Sequence, residues 1–370
     1  MVTSCYNLVE KEEMHMNTIV LSIDNEQQMQ KSVKTAGDCI RLGGLVAFPT
    51  ETVYGLGADA LNAAAAEKIY TAKGRPSDNP LIIHIADIEA LDRIVSEIPQ
   101  KAKILTERFW PGPLTLVMKK TELVPLSTTG GLQTVAVRMP NHPLALAIIR
   151  QAGGYVAAPS ANTSGRPSPT LAKHVLEDME GRIDLIVDGG ELPIGIESTI
   201  VDITVDPPML LRPGYITMEM LQECIGEVDT DPAMVSMAAH QVPKAPGMKY
   251  RHYAPKAELK IVEGEPEAVA EAIDKFVIHQ LEKGRKVGII ATDESLGCYP
   301  QGIVKSIGSR KDDSTIAQNL YGVLREFDEL QVDCIFSESF SEGKMGNAIM
   351  NRLGKAAANQ VIHVQKTDKE

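Results

Sequence analysis

Polar side chains suited to binding a small charged molecule are concentrated in three segments of the sequence. The first, residues 49–59, combines short hydroxyl and carboxyl side chains with a tyrosine and two glycines. It directly follows residues 45–48, which are predicted to form a buried strand, and open α/β sheets bind ligands where strands end. The hydroxyls can bond a polar ligand, and the glycines let the backbone approach it closely. An ordinary strand-to-helix loop is the alternative.

The second segment, residues 73–80, places Lys73 and Arg75 just after a helical pattern. Such a pair suits an oxyanion, because lysine acts as a mobile point charge and arginine offers a bidentate fork. Basic residues at a helix C-terminus are common and stabilise little, so capping is the alternative. His84 follows inside an apolar strand, where a purely packing histidine is the alternative.

The third segment, residues 157–168, runs from small residues into a turn rich in serine, asparagine and threonine and then reaches Arg166. Its hydroxyl, amide and backbone groups could surround a phosphate. The alternative is a polar Asx-type turn. Residues 195–199 and 211–214 carry weaker signals of the same kind.

Several well-known chemistries are excluded by spacing. The sequence has no G-x-x-x-x-G-K-[ST] loop and no H-E-x-x-H, and Gly55-Leu56-Gly57 lacks the third glycine of a dinucleotide fingerprint. The five cysteines include no C-x-x-C pair, which argues against a disulfide framework and a structural zinc site. Reduced cytoplasmic thiols are therefore expected.

Charge and composition narrow the class of protein further. The chain has 370 residues, 44% of them apolar, and a net charge of −12, with both sides of Gly226 acidic. A general nucleic-acid binder would normally show a basic face, so only a local basic cleft is compatible with this balance. No apolar run of about 18 residues predicts a membrane span. Charged residues 10–13 interrupt the place of a signal peptide, so export is not expected.

The pattern of elements predicts two domains. Strand and helix patterns alternate up to about residue 226 and indicate an α/β or α+β sheet. Residues 227–256 are irregular and proline-rich, and they end in an aromatic and basic stretch that is unusual for a passive linker. From residue 257 onward, strands alternate with helices, which implies a largely parallel sheet.

Taken together, the order of the motifs resembles the YrdC/Sua5 family, and residues 257–370 resemble the C-terminal domain of its longer Sua5 branch. The match covers about residues 40–226 with high specificity and the rest, apart from the first 20 or so residues, with lower specificity. It rests on residues 49–56, Lys73-x-Arg75 with 79–81 and His84, 110–113, Ser160-x-Asn162, 197–199 and 212–214.

The resemblance implies a twisted open α/β sheet with a concave, locally basic cleft (residues 1–226, core about 20–226). It also implies a linker that acts as a lid (227–256) and a smaller Rossmann-like parallel α/β domain (257–370). Family members join L-threonine, bicarbonate and ATP into threonylcarbamoyl-AMP and pyrophosphate. Partner transferases then modify N6 of adenosine 37 in tRNA. The cations expected to converge in the cleft are Lys73, Arg75, Arg138, Arg166 and Arg212.

The resemblance also implies roles for individual residues. Lys73 and Arg75 are the expected catalytic cations, and Tyr253 is expected to reach back over the nucleotide. Mg²⁺ is expected on the triphosphate, with no metal ligands from the protein. The expected threonine-binding residues are Thr50, Thr52, Tyr54, His84, Arg138, Ala158 and Ser198. The expected ATP-binding residues are Lys73, Arg75, Asn79, Thr134, Ser160, Asn162, Ser168, Arg212 and Tyr253.

Two other functions stay open from the sequence. One is a module that captures RNA or a nucleotide without chemistry, and the acidic totals weigh against it. The other is an enzyme that transfers a carbamoyl group from carbamoyl phosphate; the zinc-type cysteine motifs and acylphosphatase segment of such proteins are absent here. The expected setting is the cytoplasm, with no membrane partner and no strong direct binding of nucleic acid.

Overall fold

A computed structural model of the chain describes residues 17–232, 252–341 and 343–365. Within these ranges, strands and helices build two α/β units around separate sheets. The N-terminal unit (residues 17–232) contains an eleven-stranded sheet, and the C-terminal unit (258–365) a five-stranded one. The segment 252–257, called the linker end below, leads into the second unit. The described helices include none long and apolar enough to cross a membrane.

The large sheet mixes parallel and antiparallel pairs, as an α/β sheet with hairpins requires. Its strand order is β1-β8-β2-β3-β7-β4-β6-β5-β9-β10-β11. The strands are β1 Ile19–Leu21, β2 Val46–Phe48, β3 Gly55–Asp59, β4 Ile82–His84, β5 Leu114–Lys119, β6 Thr134–Arg138, β7 Val156–Ala157, β8 Leu185–Val187, β9 Thr199–Asp202, β10 Met209–Arg212 and β11 Asp229–Thr230. The helices of this unit are α1 Glu26–Arg41, α2 Ala63–Lys73, α3 Leu91–Ile94, α4 Gln100–Phe109, α5 Pro143–Gln151, α6 Ala172–Met179 and α7 Met218–Ile225.

Capping residues at both ends define α2, the helix that leads into the second polar segment, residues 73–80. The Asn62 side chain accepts hydrogen bonds from the backbone N–H groups of Ala64 and Ala65, so it caps α2 as the sequence predicts. Gly74 ends the helix with φ 60°, a left-handed conformation that glycine adopts without strain. The two caps therefore set where Lys73 and Arg75 leave the helix.

Three parts of the N-terminal unit differ from the sequence-based expectation. Residues 55–59, expected in a loop, form β3 antiparallel to β2. A Cβ on Gly57 would lie 2.6 Å from the Phe48 ring, so the glycine serves close packing rather than a turn. The pattern of residues 88–96 predicts one helix, but these residues hold only a short 3₁₀ turn and α3. Helices α6 and α7 were not predicted; both are only eight residues long.

The C-terminal unit has the alternating pattern that the sequence predicts. All the described strand pairs in its sheet are parallel, in the order β14-β13-β15-β12-β16. The strands are β12 Glu258–Glu263, β13 Val287–Ala291, β14 Ile303–Ser306, β15 Cys334–Glu338 and β16 Val361–His363. The helices are α8 Pro266–Glu282, α9 Asp313–Glu329 and α10 Gly346–Ala356.

One apolar core is shared between the two units. Val53 and Ile196 of the N-terminal unit belong to the same buried cluster as residues of α9 and α10, and Tyr253 of the linker end joins them. A buried ion pair supports this contact, because Arg325 of α9 donates to the Asp178 carboxylate of α6 at 2.9 Å. The C-terminal unit is thus packed directly behind the polar segments of the first unit.

Candidate active site

A cavity lies where the three polar segments meet the linker end, and the five expected cations all line it. These cations come from separate parts of the chain, and the fold brings them together inside a protein of net charge −12. Thirteen residues expected from the resemblance line this cavity: Thr50, Thr52, His84, Arg138, Ala158, Ser198, Lys73, Arg75, Ser160, Asn162, Ser168, Arg212 and Tyr253.

Arg138, the last residue of β6, is held in place by three contacts. Its guanidinium forms a buried ion pair of 2.7 Å with Glu51 and donates to the Thr52 hydroxyl at 3.0 Å. Its Nε donates to the Gly112 carbonyl at 3.3 Å. A buried guanidinium fixed in this way suits planar recognition of a carboxylate.

His84 is the partner of Arg138 on the neighbouring strand β4. Burial, followed by the charge of Arg138, lowers the pKa of His84 to about 3. The imidazole is therefore neutral near pH 7, and its Nδ1 lies 3.3 Å from the Ile82 carbonyl oxygen. It offers a ligand an uncharged polar group beside the arginine.

Short hydroxyl side chains complete this end of the cavity. The hydroxyl oxygens of Thr50 and Thr52 lie 2.9 Å apart, and Thr50 also donates to the Val53 carbonyl at 2.7 Å. The hydroxyl oxygens of Ser198 and Thr115 lie 2.8 Å apart. These paired hydroxyls have fixed positions, which favours selection of a small polar ligand.

Lys73 ties the second polar segment to the third. Its ammonium donates to the Asn162 carbonyl at 2.6 Å and also contacts the Ser160 carbonyl oxygen. Burial, followed by the charge of Arg75, holds the pKa of Lys73 well below its usual value. The side chain therefore organises the turn from which ligand-binding groups project.

Arg75 keeps its charge in the same region. Its guanidinium donates to the carbonyls of Pro80 and Asn79 at 3.0 and 3.3 Å. Burial lowers the pKa of Arg75 to about 10, so the group remains a cation at neutral pH. The loop after α2 thus carries a fixed positive charge into the cavity.

Two buried polar atoms beside Lys73 have no hydrogen-bond partner among the described residues. They are Oδ1 of Asn162 and Nε2 of His252. The Asn162 amide nitrogen donates to the Thr163 and Arg166 carbonyls at 2.9 Å each, which fixes the direction of the amide. Buried polar atoms are normally paired, so these two mark a place where a ligand or water belongs.

The linker end closes one side of the cavity. Tyr253 is buried, adopts φ 64°, and stacks its ring 5.2 Å from that of Tyr321 in α9. The N–H of Ala254 donates to the Gly165 carbonyl at 2.9 Å, which joins the linker end to the third polar segment. Tyr253 thus lines the cavity, and its expected position over a nucleotide stays a prediction. Residues 233–251 of the predicted lid lie outside the described residues.

Three expected site residues do not line the cavity. The Tyr54 hydroxyl instead donates to the Gly190 carbonyl at 2.9 Å and accepts from the Gly189 N–H at 3.2 Å, so the loop that follows β8 holds it. Asn79 is buried behind the cavity and bonds Arg75 through its backbone carbonyl. Thr134 begins β6, at the opposite end of that strand from Arg138. Their binding roles stay predictions, and the buried Oδ1 of Asn79 has no hydrogen-bond partner among the described residues.

Sequence reasoning assigned no role to two carboxylates at the site, Glu51 and Glu197. Glu51 pairs with Arg138, and Glu197 accepts hydrogen bonds from side chains of both units. The signal was present, since both lie inside the recognised motifs, but a motif does not show which arginine a carboxylate meets. Among the described residues, no group of three or more histidine, cysteine, aspartate or glutamate side chains is arranged to hold a metal ion.

Comparison with known proteins identifies the family. A family model described as telomere recombination, Sua5_yciO_yrdC, matches residues 38–214, and the model of the threonylcarbamoyl-AMP synthase C-terminal domain matches residues 216–358. The threonylcarbamoyl-AMP synthase of Pyrococcus abyssi is 49% identical over 94% of this chain and 100% of its own length. The enzyme of Bacillus subtilis is 51% identical over 89% of this chain and 94% of its own length.

Solved structures agree over the whole described fold. The crystal structure of P. abyssi Sua5 complexed with L-threonine matches with a TM-score of 0.88 and 48% identity, and the match covers 94% of this chain and 99% of that one. A variant of the same protein with a histidine and the next tyrosine changed to alanine matches with a TM-score of 0.89 and 47% identity over 95% of this chain and 100% of that one. Both domains of this chain therefore have counterparts in one known architecture, and the chain belongs to the Sua5 family of threonylcarbamoyl-AMP synthases.

Proposed function

We propose that the protein is an L-threonylcarbamoyladenylate synthase, a nucleotidyltransferase that converts L-threonine, bicarbonate and ATP into threonylcarbamoyl-AMP and pyrophosphate. The observation that carries the proposal is the division of one cavity into two chemically different ends. The amino-acid end contains Thr52, His84 and Arg138, and the nucleotide end contains Lys73, Arg75, Asn162 and Arg212 together with the linker end. The relative solved with L-threonine supports this assignment.

The amino-acid end is suited to hold threonine by its carboxylate. Arg138 is the charged partner, and its contacts with Glu51, Thr52 and Gly112 hold its guanidinium in place. Because His84 is neutral, it does not add a second charge that would favour a dianion over an amino acid. Charge-assisted hydrogen bonds of this kind are among the stronger ones in proteins.

The reaction needs positioning and charge more than a protein nucleophile. The amine of threonine and bicarbonate form a carbamate with loss of water, and a carbamate oxygen attacks the α-phosphorus of ATP. The bond from that phosphorus to the bridging oxygen breaks, and pyrophosphate leaves. Lys73 and Arg75 stabilise the negative charge on the phosphoryl group and the leaving group, as fixed cations do in other phosphoryl-transfer sites.

Lys73 can serve both structure and catalysis. Its ammonium has three donors, and two contact the Ser160 and Asn162 carbonyl oxygens. The third donor is the one that would reach a phosphate oxygen. An arriving polyphosphate also favours the protonated form of a lysine whose pKa burial has lowered.

We further propose that ATP enters as its magnesium complex. The carboxylates at the cavity, Glu51 and Glu197, are both engaged with arginines, so the described residues leave the ion to phosphates and water. Mg²⁺ supplies charge neutralisation of the triphosphate. We also propose that the product passes, in the cytoplasm, to transferases that form N6-threonylcarbamoyladenosine at position 37 of tRNA.

The direct test is an assay of pyrophosphate release with each substrate omitted in turn. Release should require threonine and bicarbonate together, and the product should have the mass of threonylcarbamoyl-AMP. Release that is indifferent to threonine would reject the assignment. ATP binding without any release would favour the non-catalytic binding module, and turnover with carbamoyl phosphate would favour the carbamoyl-transfer enzyme.

A further inference from the structure

Arg352 of α10 is fully buried and lies behind the cavity rather than along it. Its Nε donates to the Glu197 carboxylate at 3.1 Å, and one terminal nitrogen donates to the Glu197 carbonyl at 3.2 Å. The other terminal nitrogen donates to the Pro213 carbonyl. One side chain of the C-terminal unit thus contacts both Glu197 and Pro213. Each is the direct neighbour of an expected ligand-binding residue, Ser198 or Arg212.

Glu197 is the centre of this arrangement. Its carboxylate accepts hydrogen bonds from the Ser168 hydroxyl at 2.6 Å and from the Tyr321 hydroxyl at 2.8 Å. Burial raises the pKa of Glu197, but the charges of Arg352 and Arg212 outweigh burial and lower it to about 2. The carboxylate is therefore ionised, and the two arginines from different units share its charge.

Arg212 is the group whose position depends on that sharing. Its Nε donates to the Ser198 carbonyl at 3.0 Å, and a terminal nitrogen donates to the Ser198 hydroxyl at 3.2 Å. Both residues line the cavity. Without Arg352, an ionised and buried Glu197 would draw Arg212 toward itself, because a buried charge left with too few partners is costly.

Other charged or titratable groups also face Glu197 from the elements packed around it. Lys73 comes from α2, His252 and Tyr253 from the linker end, Tyr321 from α9 and Lys355 from α10. Of these groups, the Tyr321 hydroxyl donates to the Glu197 carboxylate, and it lies in the C-terminal unit like Arg352. The C-terminal unit therefore supplies two side chains that bind this carboxylate, beside Ser168 of the N-terminal unit.

We propose that Arg352 is a positioning residue of the active site: by holding the Glu197 carboxylate and the Pro213 carbonyl, it keeps Arg212 and Ser198 directed toward the substrates. Tyr321 supports the same carboxylate. The C-terminal unit is then a working part of the catalytic site. This inference rests on the proposed function for its kinetic readout, and ATP affinity gives a second readout that does not.

The main experiment is a double-mutant cycle with Arg352→Met, Glu197→Gln and the combination of both. Arg352→Met should lower kcat/KM about 100-fold, as expected when a catalytic group is displaced by about 1 Å. The double variant should recover at least about tenfold relative to Arg352→Met, because the neutral amide no longer attracts Arg212. Arg285→Met, which removes an exposed arginine of the same unit bonded to Gln280, should match the wild type.

A purely structural Arg352 would give a different pattern. The double variant would then be as poor as Arg352→Met or poorer, and that result would overturn the inference, as would wild-type kinetics in Arg352→Met. If Arg352→Met does not fold, Tyr321→Phe tests the same carboxylate with one oxygen removed. Tyr321→Phe should lower kcat/KM about 3- to 10-fold in the wild-type protein. In a protein that already carries Glu197→Gln, it should have no further effect. Equal effects in both backgrounds would overturn the inference.

Calorimetric titration with MgATP separates this inference from the proposed function. Wild-type protein that binds ATP but releases no pyrophosphate with all substrates present would end the proposed function alone. In that case Arg352→Met should still weaken ATP binding at least about tenfold, with recovery in the double variant. Unchanged ATP affinity in Arg352→Met would reject the positioning role in either case.

Discussion

The two ends of the cavity differ in how their buried polar atoms are paired. At the amino-acid end, buried atoms without a hydrogen bond include the Glu51 carboxylate oxygens and one terminal nitrogen of Arg138, and these two side chains form an ion pair of 2.7 Å with each other. At the nucleotide end, Oδ1 of Asn162 and Nε2 of His252 have no hydrogen-bond partner among the described residues. The amino-acid end thus balances its own buried charge, whereas the nucleotide end leaves polar atoms for a ligand or water to pair.

The largest expected effect comes from the charge at the nucleotide end. Arg75→Ala should lower kcat/KM by about 10²- to 10³-fold, because it removes a fixed cation from the phosphoryl-transfer site. The thermal melting curve should change little, since the hydrogen bonds that Arg75 donates among the described residues go to nearby carbonyls of its own loop. Pyrophosphate release and thermal melting check this, with the exposed Arg108→Ala as control. Near-normal turnover would remove Arg75 from the mechanism.

The next effect tests whether the amino-acid end acts separately. Arg138→Met should raise KM for threonine about 10- to 100-fold, which corresponds to the loss of one or two charge-assisted bonds. The variant should also carry Glu51→Gln, because the Glu51 carboxylate would otherwise be buried without its cationic partner. Steady-state kinetics in which each substrate is varied in turn should show a KM for ATP within about twofold of the wild-type value. An equal rise in both constants would mean that the two ends are not independent.

A smaller effect is expected from the linker end. Tyr253→Ala should raise KM for ATP about 3- to 10-fold, because it removes a ring that packs between His252 and Tyr321. Tyr215→Ala, at a partly exposed tyrosine of the same unit as the cavity, is the matched control. If KM for threonine rises while KM for ATP is unchanged, the linker end belongs to the other end of the cavity.

The smallest effect concerns stability and pH. The pKa of His84 is lowered to about 3 in the folded protein, so below about pH 6.5 the unfolded chain binds a proton that the folded chain does not. Stability should therefore fall as pH decreases, and this contribution ends near pH 3. Between pH 7 and pH 5, the His84→Gln variant should lose about 1 to 2 kcal/mol less free energy of unfolding than the wild type loses. Urea unfolding at both pH values measures it, with exposed His279→Gln as control.

Features governed by local rules were predictable from the sequence. Asn62 caps α2 as expected, although the helix, expected to end at Thr71, continues to Lys73, and the alternating pattern after residue 257 gave the parallel sheet. β3 was missed because glycines at 55 and 57 look like a turn, although Gly57 serves close packing against Phe48 and Gly55 lies against Ala158. Tyr54 was expected in the cavity because it shares a motif with Thr52, but its hydroxyl is bound by the loop that follows β8.

Contacts between distant segments could not be predicted in the same way. Thr52, His84 and Arg138 were assigned together by resemblance, and the pairing of β4 with β6 supplies the physical reason for two of them. Nothing in the sequence around Glu197 indicates that its partner is Arg352, 155 residues further along. A cation on a short amphipathic helix is normally exposed, so only the packing of the two units gives this one its role.

The apolar cluster shared by Val53, Ile196, Tyr253 and the helices of the C-terminal unit also has a consequence for cooperativity. Because these residues are buried by both units at once, neither unit can open without exposing part of the core of the other. The cavity therefore loses its shape in the same step in which the C-terminal unit separates. We therefore expect the two units of this chain to unfold cooperatively, so that both ends of the cavity are lost in one step.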